Sequence, residues 1–228
     1  MVAVVQKFPV NVRGRDLLVG DIHGCFHVLE DALKKIRFNP EVDRVFSCGD
    51  LVNRGPYSAQ VLKWLQQPWF HAVRGNHEIM ALMALSGDFS YGQHLGRWIT
   101  QLSTSDARAI TQAFNQLPLV LEVALPSGRF GVLHGDILHT DWNMFTADLQ
   151  QDGFLSKLAE RTVWSRHRYK YDIRIPVLGV NVVYVGHTVV DDVDVRGNVA
   201  YLDTGCCYGK KLTIADAHSG KTYHHAMY

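Results

Sequence analysis

The chain has 228 residues, of which 47% are hydrophobic and 20% charged, and its formal net charge is +1. These values are ordinary for a soluble globular protein, and the length allows a full hydrophobic core, so we predict a single domain over residues 1–228. The near-zero charge gives no reason to expect a nucleic acid or an anionic membrane surface as a partner, and no apolar stretch approaches the roughly 18–20 residues that cross a bilayer.

The first third of the sequence alternates between strands and helices. Short apolar runs predict strands that end at Val19, Cys48 and Val73. This β-α-β-α-β order is typical of an α/β fold with a parallel sheet. The segments that follow the strands carry apolar residues at helical spacing, which predicts helices over Phe26–Arg37, Ser58–Gln67 and Asn76–Leu85.

The rest of the sequence changes character twice. From Ser86 to Leu117 the pattern predicts a mostly helical insertion over one face of the sheet, and after Pro118 it predicts β structure. The stretch Thr140–Pro176 has weaker periodicity, and no element is assigned to it. The predicted strands are Leu119–Leu125, Phe130–His134, Val182–Val185, Val199–Asp203, Lys211–Asp216 and Lys221–His225.

Cysteine usage and the N-terminal sequence predict a reduced, cytoplasmic protein. The four cysteines, Cys25, Cys48, Cys206 and Cys207, are too few for a disulfide framework and show no CxxC spacing. The first residues lack the basic start, the apolar region and the cleavage site of a signal peptide. The sequence leaves the oligomeric state open.

Five predicted strands stop at a motif that contains residues able to bind a metal. In α/β sheets ligands bind beyond the carboxyl ends of the strands, so these residues should meet in one crevice. Any one of them alone is more often a helix cap or a buried hydrogen-bonded residue, but the repetition at successive strand ends favours a metal site. The residues are Asp21, His23, Asp50, Asn76, His134 and His187.

The types of these residues indicate two divalent ions. Asp21 and His23 offer a carboxylate oxygen and an imidazole nitrogen to one ion, and Asp50 can place its carboxylate between two ions. In the two-metal centres of phosphatases the ions lie roughly 3.5–4 Å apart. Oxygen and nitrogen ligands without a thiolate suit Mn, Fe, Zn or Ni. The second ion would be completed by Asn76, His134 and His187.

Three arginines lie in or beside the same motifs, namely Arg54, Arg74 and Arg166. Planar guanidinium groups bind tetrahedral oxyanions bidentately, and next to two divalent ions they indicate a phosphate. The alternative for each is a solvated surface arginine, and this alternative is strongest for Arg166.

Three segments resemble the signature blocks of the phosphoprotein phosphatase family of metallophosphoesterases. They are Gly20–Gly24, Gly49–Gly55 and Gly75–Glu78. The sequence is most similar to the short bacterial and bacteriophage lambda-type serine/threonine protein phosphatases of this family, and the resemblance spans residues 16–214. Further similar segments are Trp164–Arg166, Gly186–Thr188 and Asp203–Gly205.

The resemblance implies a fold, a metal and a role for each motif residue. The fold is the calcineurin-like metallophosphoesterase fold, an α/β fold with a central β-sandwich flanked by helices, and the preferred ion is Mn²⁺. His77 would be the general acid. The first metal ion would be held by Asp21, His23 and Asp50, and the second by Asp50, Asn76, His134 and His187. The substrate phosphate would be bound by Arg54, Arg74, Arg166 and Asn76.

One residue departs from the family pattern. The second block usually carries an aspartate where this chain has Asn53, and that aspartate pairs with the catalytic histidine. An amide can orient an imidazole but cannot neutralise an imidazolium, so we expect His77 to be a weaker proton donor than its counterparts. His77 also has a second interpretation, as a competing metal ligand.

The expected activity is hydrolysis of phosphate monoesters on proteins, at phosphoserine and phosphothreonine, with phosphotyrosine as a further option. A hydroxide bridging two metal ions would attack phosphorus in line, and phosphorylated proteins would be the partners.

Two alternative functions stay open. A dinucleoside polyphosphate hydrolase, such as a diadenosine tetraphosphatase, tolerates a non-acidic residue at Asn53, although Glu78 argues against it. A phospho-binding module with weakened catalysis has Asn53 as its only support.

Overall fold

The structure is a computed structural model that describes residues 3–227. Its strands are β1 (Val5–Phe8), β2 (Asp16–Val19), β3 (Arg44–Ser47), β4 (Phe70–Ala72), β5 (Val120–Leu125), β6 (Gly128–Leu133), β7 (Val182–Val185), β8 (Asp194–Arg196), β9 (Val199–Tyr201), β10 (Lys211–Asp216) and β11 (Thr222–Ala226). Its α-helices are α1 (Phe26–Lys35), α2 (Val61–Leu65), α3 (Asn76–Leu85), α4 (Thr104–Gln116), α5 (Trp142–Asp152), α6 (Lys157–Trp164) and α7 (His167–Lys170). Short 3₁₀ turns cover Ser58–Gln60, Gly92–His94, Arg97–Gln101 and Cys206–Tyr208.

The strands form two mixed sheets. Six strands in the order β1-β5-β6-β7-β9-β8 make the first sheet, and five strands in the order β11-β10-β2-β3-β4 make the second. The strands β2, β3 and β4 run parallel, as do β6, β7 and β9. The parallel pairing predicted for the first third of the chain is therefore confirmed, and antiparallel β10 and β11 extend that sheet.

Alternation along β2 shows how each sheet buries two faces. Leu18 packs between the sheets with Phe46 and Phe130, whereas its neighbours Leu17 and Val19 face the helices outside. The helices α1 to α4 cover the outer face of the second sheet, and α5 and α6 cover the outer face of the first. The expected fold, a central β-sandwich flanked by helices, is confirmed.

The insertion between α3 and β5 is helical, as predicted. It contains two 3₁₀ turns and α4, which packs against α2 and α3. The Oγ of Ser103 caps α4 by accepting a hydrogen bond from the backbone N–H of Asp106, and the helix buries Ile110 and Phe114. This packing holds the turn Arg97–Gln101 beside the loop that follows β3.

Most predicted boundaries agree with the structure to within a few residues. The elements α3, β7 and β10 have the predicted bounds, whereas α1 ends at Lys35 and the segment Ser58–Gln67 divides into a 3₁₀ turn and α2. The sequence pattern does not predict β1, β8 or the three helices within Thr140–Pro176. The single-domain assignment stays a prediction. No helix among residues 3–227 is long and apolar enough to cross a membrane.

The predicted metal ligands lie at the carboxyl ends of parallel strands. Asp21 and His23 follow β2, Asp50 follows β3, His134 follows β6 and His187 follows β7. The first three belong to one sheet and the last two to the other. Hydrogen bonds between the two sets of loops show that they meet at one end of the sandwich.

Candidate metal centre

Asp21, His23 and Asp50 form one side of the centre. Nε2 of His23 lies 3.7 Å from Oδ2 of Asp21 and 3.6 Å from Oδ2 of Asp50. Nδ1 of His23 lies 3.0 Å from the carbonyl oxygen of Val52, so we place the ring proton on Nδ1. The lone pair of Nε2 then faces two carboxylates, as in a metal-binding histidine that is oriented by a carbonyl group.

Asn76, His134 and His187 form the other side. Nε2 of His134 lies 2.8 Å from Oδ1 of Asn76, while its Nδ1 lies 2.7 Å from the carbonyl oxygen of Cys48. Nε2 of His187 lies 3.2 Å from the carbonyl oxygen of Trp164, so Nδ1 is the candidate ligand atom, with Nη2 of Arg166 3.4 Å away from it. Each histidine thus has one nitrogen that is oriented by a carbonyl group and one nitrogen that faces the centre.

Asp50 belongs to both sides. Its Oδ1 lies 3.3 Å from Nε2 of His134, and its Oδ2 lies 3.9 Å from Nε2 of His77. The six predicted ligands are all buried and are brought together here. Two groups of side chains have ligand atoms within 4.8 Å of one another, and each could hold an ion. One group is His23, Asp50 and His77, and the other is Asp50, His134 and His187. Because His77 belongs to the first group, it keeps both interpretations, as a general acid and as a competing metal ligand.

The buried carboxylates of the centre repel one another. Burial, together with the neighbouring Asp203 and Asp50, raises the pKa of Asp21 well above its usual range. Burial also opposes ionisation of Asp50, but the adjacent His134 and His77 hold its pKa well below the usual range. Ionised carboxylates away from water are costly unless cations balance them. This donor set therefore fits divalent metal ions.

Backbone strain is concentrated in the same loops. Positive φ angles occur at His23 (46°), Asp50 (50°), Asn53 (72°), Arg54 (67°) and His187 (62°). Residues other than glycine adopt this left-handed region rarely, at a cost of about 1–3 kcal/mol each. Only two other non-glycine positions among residues 3–227 share it, so the strain marks the candidate site.

Two glycines allow the carboxylates to approach the backbone. A Cβ atom at Gly186 would lie 2.1 Å from Oδ1 of Asp21, and one at Gly75 would lie 2.3 Å from Oδ1 of Asp50. The same oxygen of Asp21 accepts a hydrogen bond from the backbone N–H of His187 at 3.0 Å. A larger residue at either glycine would therefore displace a predicted metal ligand.

Glu78 joins two of the loops, a role that its sequence position alone does not reveal. Its buried carboxylate accepts hydrogen bonds from the backbone N–H groups of Gly75 (2.8 Å), Asp50 (2.9 Å) and Leu51 (2.8 Å). Burial, reinforced by Asp50, raises its pKa to about 7. The bond from Gly75 is the local contact expected in the first turn of a helix. The other two hold the loop that carries Asp50.

Two of the three arginines predicted to bind phosphate border the metal ligands. Nη1 of Arg54 lies 2.5 Å from Nε2 of His23, and its guanidinium group lies over the ring of Tyr208, 5.2 Å from the centroid. Nη2 of Arg166 donates a hydrogen bond to the carbonyl oxygen of His187 at 3.0 Å. Both guanidinium groups are therefore within reach of an oxyanion bound at the centre.

Arg74 does not join them. Its Nη2 donates hydrogen bonds to the carbonyl oxygens of Asn115 (2.9 Å) and Leu117 (3.2 Å), and its guanidinium group lies 4.6 Å from the ring centroid of Phe154. These carbonyl groups lie at the C-terminal end of α4, where unpaired carbonyl oxygens attract a cation. The placement does not support the expectation that Arg74 binds phosphate.

Asn53 contacts His77 and is itself oriented by Trp98. The indole N–H of Trp98 donates a hydrogen bond to Oδ1 of Asn53 at 2.7 Å. Because an indole can only donate, this bond directs Nδ2 of Asn53 toward Nδ1 of His77, 2.9 Å away. Nδ1 therefore accepts, and the ring proton lies on Nε2. Burial lowers the pKa of His77 to about 4, although Asp50 opposes this shift.

Known proteins share this sequence pattern. The sequence model of the family described as calcineurin-like phosphoesterase matches residues 15–191. Serine/threonine-protein phosphatase 1 of Salmonella typhimurium is 35% identical over 204 residues, which cover 87% of this chain and 89% of that protein. The symmetrical bis(5′-nucleosyl)-tetraphosphatase of Shewanella baltica is 27% identical, and the match covers 86% of this chain and 92% of that protein.

A solved structure shares the fold. A protein serine/threonine phosphatase from Saccharomyces cerevisiae superposes with a TM-score of 0.68 at 15% sequence identity, over 100% of this chain and 85% of that one. At this identity the likeness concerns the fold alone. The substrate has to be inferred from the chemistry of the site.

Proposed function

The chain belongs to the calcineurin-like phosphoesterase family, and from this premise we propose that it is a protein serine/threonine phosphatase that uses two divalent metal ions, with Mn²⁺ as the proposed ion. Phosphorylated cytoplasmic proteins are the proposed substrates. The observation that carries the proposal is the position of Asp50, whose carboxylate belongs to both groups of potential ligand atoms. A carboxylate shared between two ions is a feature of two-metal phosphatase sites.

The side chains around the centre would bind and align the substrate. When bound, two divalent ions would activate a water molecule and neutralise negative charge on the phosphoryl oxygens. Arg54 and Arg166 would bind the remaining oxygens and hold the phosphate in line for attack. Nε2 of His77 lies 3.9 Å from Oδ2 of Asp50, and the doubly protonated ring of His77 would give its Nε2 proton to the departing oxygen and return to the neutral imidazole.

A second candidate function is hydrolysis of a phosphoanhydride, the activity named for the Shewanella baltica relative. The amide of Asn53 leaves Nδ1 of His77 as an acceptor, which makes His77 a neutral and weak acid. A serine alkoxide needs a proton as it leaves, whereas a polyphosphate leaves as a stable anion. The third alternative, a binding module without turnover, has no support beyond Asn53.

An activity panel separates these candidates. The purified protein is loaded with Mn²⁺ and assayed on a phosphoserine peptide, p-nitrophenyl phosphate and diadenosine tetraphosphate, with Asp50→Asn as the control. Metal-dependent release of phosphate from the peptide that disappears in Asp50→Asn would support the proposal. Cleavage of diadenosine tetraphosphate without peptide hydrolysis would support the second candidate. Binding of the phosphopeptide without turnover of any substrate would support the third.

A further inference from the structure

A cavity of about 550 Å³ lies next to the candidate metal centre. Its volume falls in the range of small-molecule and side-chain binding sites. Among the residues 3–227 that line it, two carry a guanidinium group and none carries a carboxylate. Since guanidinium groups stay charged at every accessible pH, such a cavity attracts anions. The lining includes Arg54, His94, Arg97, Trp98, Gln101 and Tyr208.

Two of the lining residues connect the cavity with the site. Arg54 lines the cavity, and its Nη1 lies 2.5 Å from Nε2 of His23. Trp98 also lines the cavity, and its indole N–H donates to Asn53, which contacts His77. Since His77 is the residue that would protonate the leaving group, this chain of contacts would place the cavity on the side from which the leaving group departs.

We propose that this cavity is a subsite for a second anionic group, carried by the leaving-group part of the substrate. In a phosphoprotein this group is the side chain of an aspartate or glutamate beside the phosphorylated residue. Arg97 would bind it, because Arg54 would be engaged at the scissile phosphate. The inference rests on the proposed function, since it takes the metal centre as the reacting site. The phosphates of a dinucleoside polyphosphate offer the same charge, and the experiment below separates the two sources.

The test compares two phosphoserine peptides that differ only in Asp or Asn beside the phosphoserine. The Mn²⁺-loaded wild type should hydrolyse the Asp peptide with a kcat/KM about tenfold higher, the scale of one charge-assisted hydrogen bond. In Arg97→Gln this ratio should fall to near one. In Arg108→Gln, which removes an exposed charge from α4 outside the cavity, the ratio should stay as in the wild type. A ratio near one in the wild type, or an equal loss in both variants, would overturn the subsite.

Diadenosine tetraphosphate is the second arm of the test. Slower cleavage of this compound in Arg97→Gln but not in Arg108→Gln, without peptide hydrolysis, would support the subsite and overturn the protein phosphatase. If no substrate is hydrolysed, calorimetric titration of the Mn²⁺-loaded protein with the two peptides still decides whether the subsite exists. A roughly tenfold lower Kd for the Asp peptide that Arg97→Gln abolishes would support the subsite, and equal Kd values in the wild type would overturn it.

Discussion

Asn53→Asp should change which leaving groups the site can release. Nδ2 of Asn53 lies 2.9 Å from Nδ1 of His77, and Oδ1 of Asn53 accepts a hydrogen bond from the indole N–H of Trp98 at 2.7 Å. A carboxylate has nearly the same shape and can accept from both groups, so the packing around it should persist. The charge next to His77 changes, because an anion that stabilises the imidazolium replaces a neutral amide.

The size of the effect follows from the pKa of His77, which burial lowers to about 4. At pH 7 about one ring in 10³ then carries a second proton. A carboxylate within hydrogen-bond distance moves a neighbouring pKa by about 1 to 3, so a rise of about 2 would increase the protonated fraction roughly 100-fold. We therefore expect phosphoserine hydrolysis to rise by up to about 10²-fold, within the range of general acid catalysis.

The assay is kcat against pH for a phosphoserine peptide and for p-nitrophenyl phosphate, in both proteins loaded with Mn²⁺. p-Nitrophenolate leaves without a proton, so its rate should change far less than that of the peptide. Since the general acid must be protonated, a higher pKa should extend the alkaline limb of the peptide profile to higher pH. Equal gains on both substrates, or no gain on either, would refute the view that Asn53 limits proton donation by His77.

Three further substitutions test where the structure places other residues. Arg54→Ala should lower kcat/KM by about 10²-fold with unchanged metal content, since it removes a phosphate donor and no metal ligand; loss of metal or full activity would count against this role. Arg74→Ala should instead lower the free energy of unfolding by about 1–3 kcal/mol, because its guanidinium group bonds carbonyl oxygens at the end of α4. An activity loss as large as that of Arg54→Ala would mean that Arg74 turns toward the site. Gly186→Ala should reduce metal content and turnover together, since its Cβ would lie 2.1 Å from Oδ1 of Asp21; full metal occupancy would contradict this.

The metal ligands can be found in the sequence because each of them follows a buried strand within a few residues. Each predicted strand shows where its carboxyl end lies, and parallel strands have their carboxyl ends at the same edge of the sheet. His134 and His187 lie on the other sheet from Asp50, yet the same pattern of an apolar run and a polar residue marks them. Local sequence therefore contains most of the information about the centre.

Side chains that reach the site from a distance have no such pattern. Trp98 lies in the helical insertion, and its contact with Asn53 joins positions 45 apart in the sequence. Arg74 adjoins a motif, but its direction is set by Asn115 and Leu117, 41 and 43 positions away. Such contacts depend on how helices pack over the sheet, and the sequence next to each residue does not specify that packing.

Among the elements that the sequence pattern does not predict, α5 and β1 show why, because the burial of their residues does not follow polarity. In α5, Met144 is 62% exposed and Thr146 is buried, which weakens the apolar periodicity. In β1 only Val5 is buried, and Gln6 and Lys7 are exposed. This strand exists because it pairs with β5 at the edge of the first sheet, so tertiary pairing rather than local pattern determines it.

Metal analysis of the wild type and of Asp50→Asn tests most directly whether one carboxylate serves two ions. After loading with Mn²⁺ and removal of free metal, the wild type should hold two ions per chain and should hydrolyse p-nitrophenyl phosphate only when loaded. Asp50→Asn should hold at most one ion and lose more activity than any arginine variant, because Asp50 belongs to both groups of potential ligands. Two bound ions together with near-normal turnover in Asp50→Asn would contradict the bridging role.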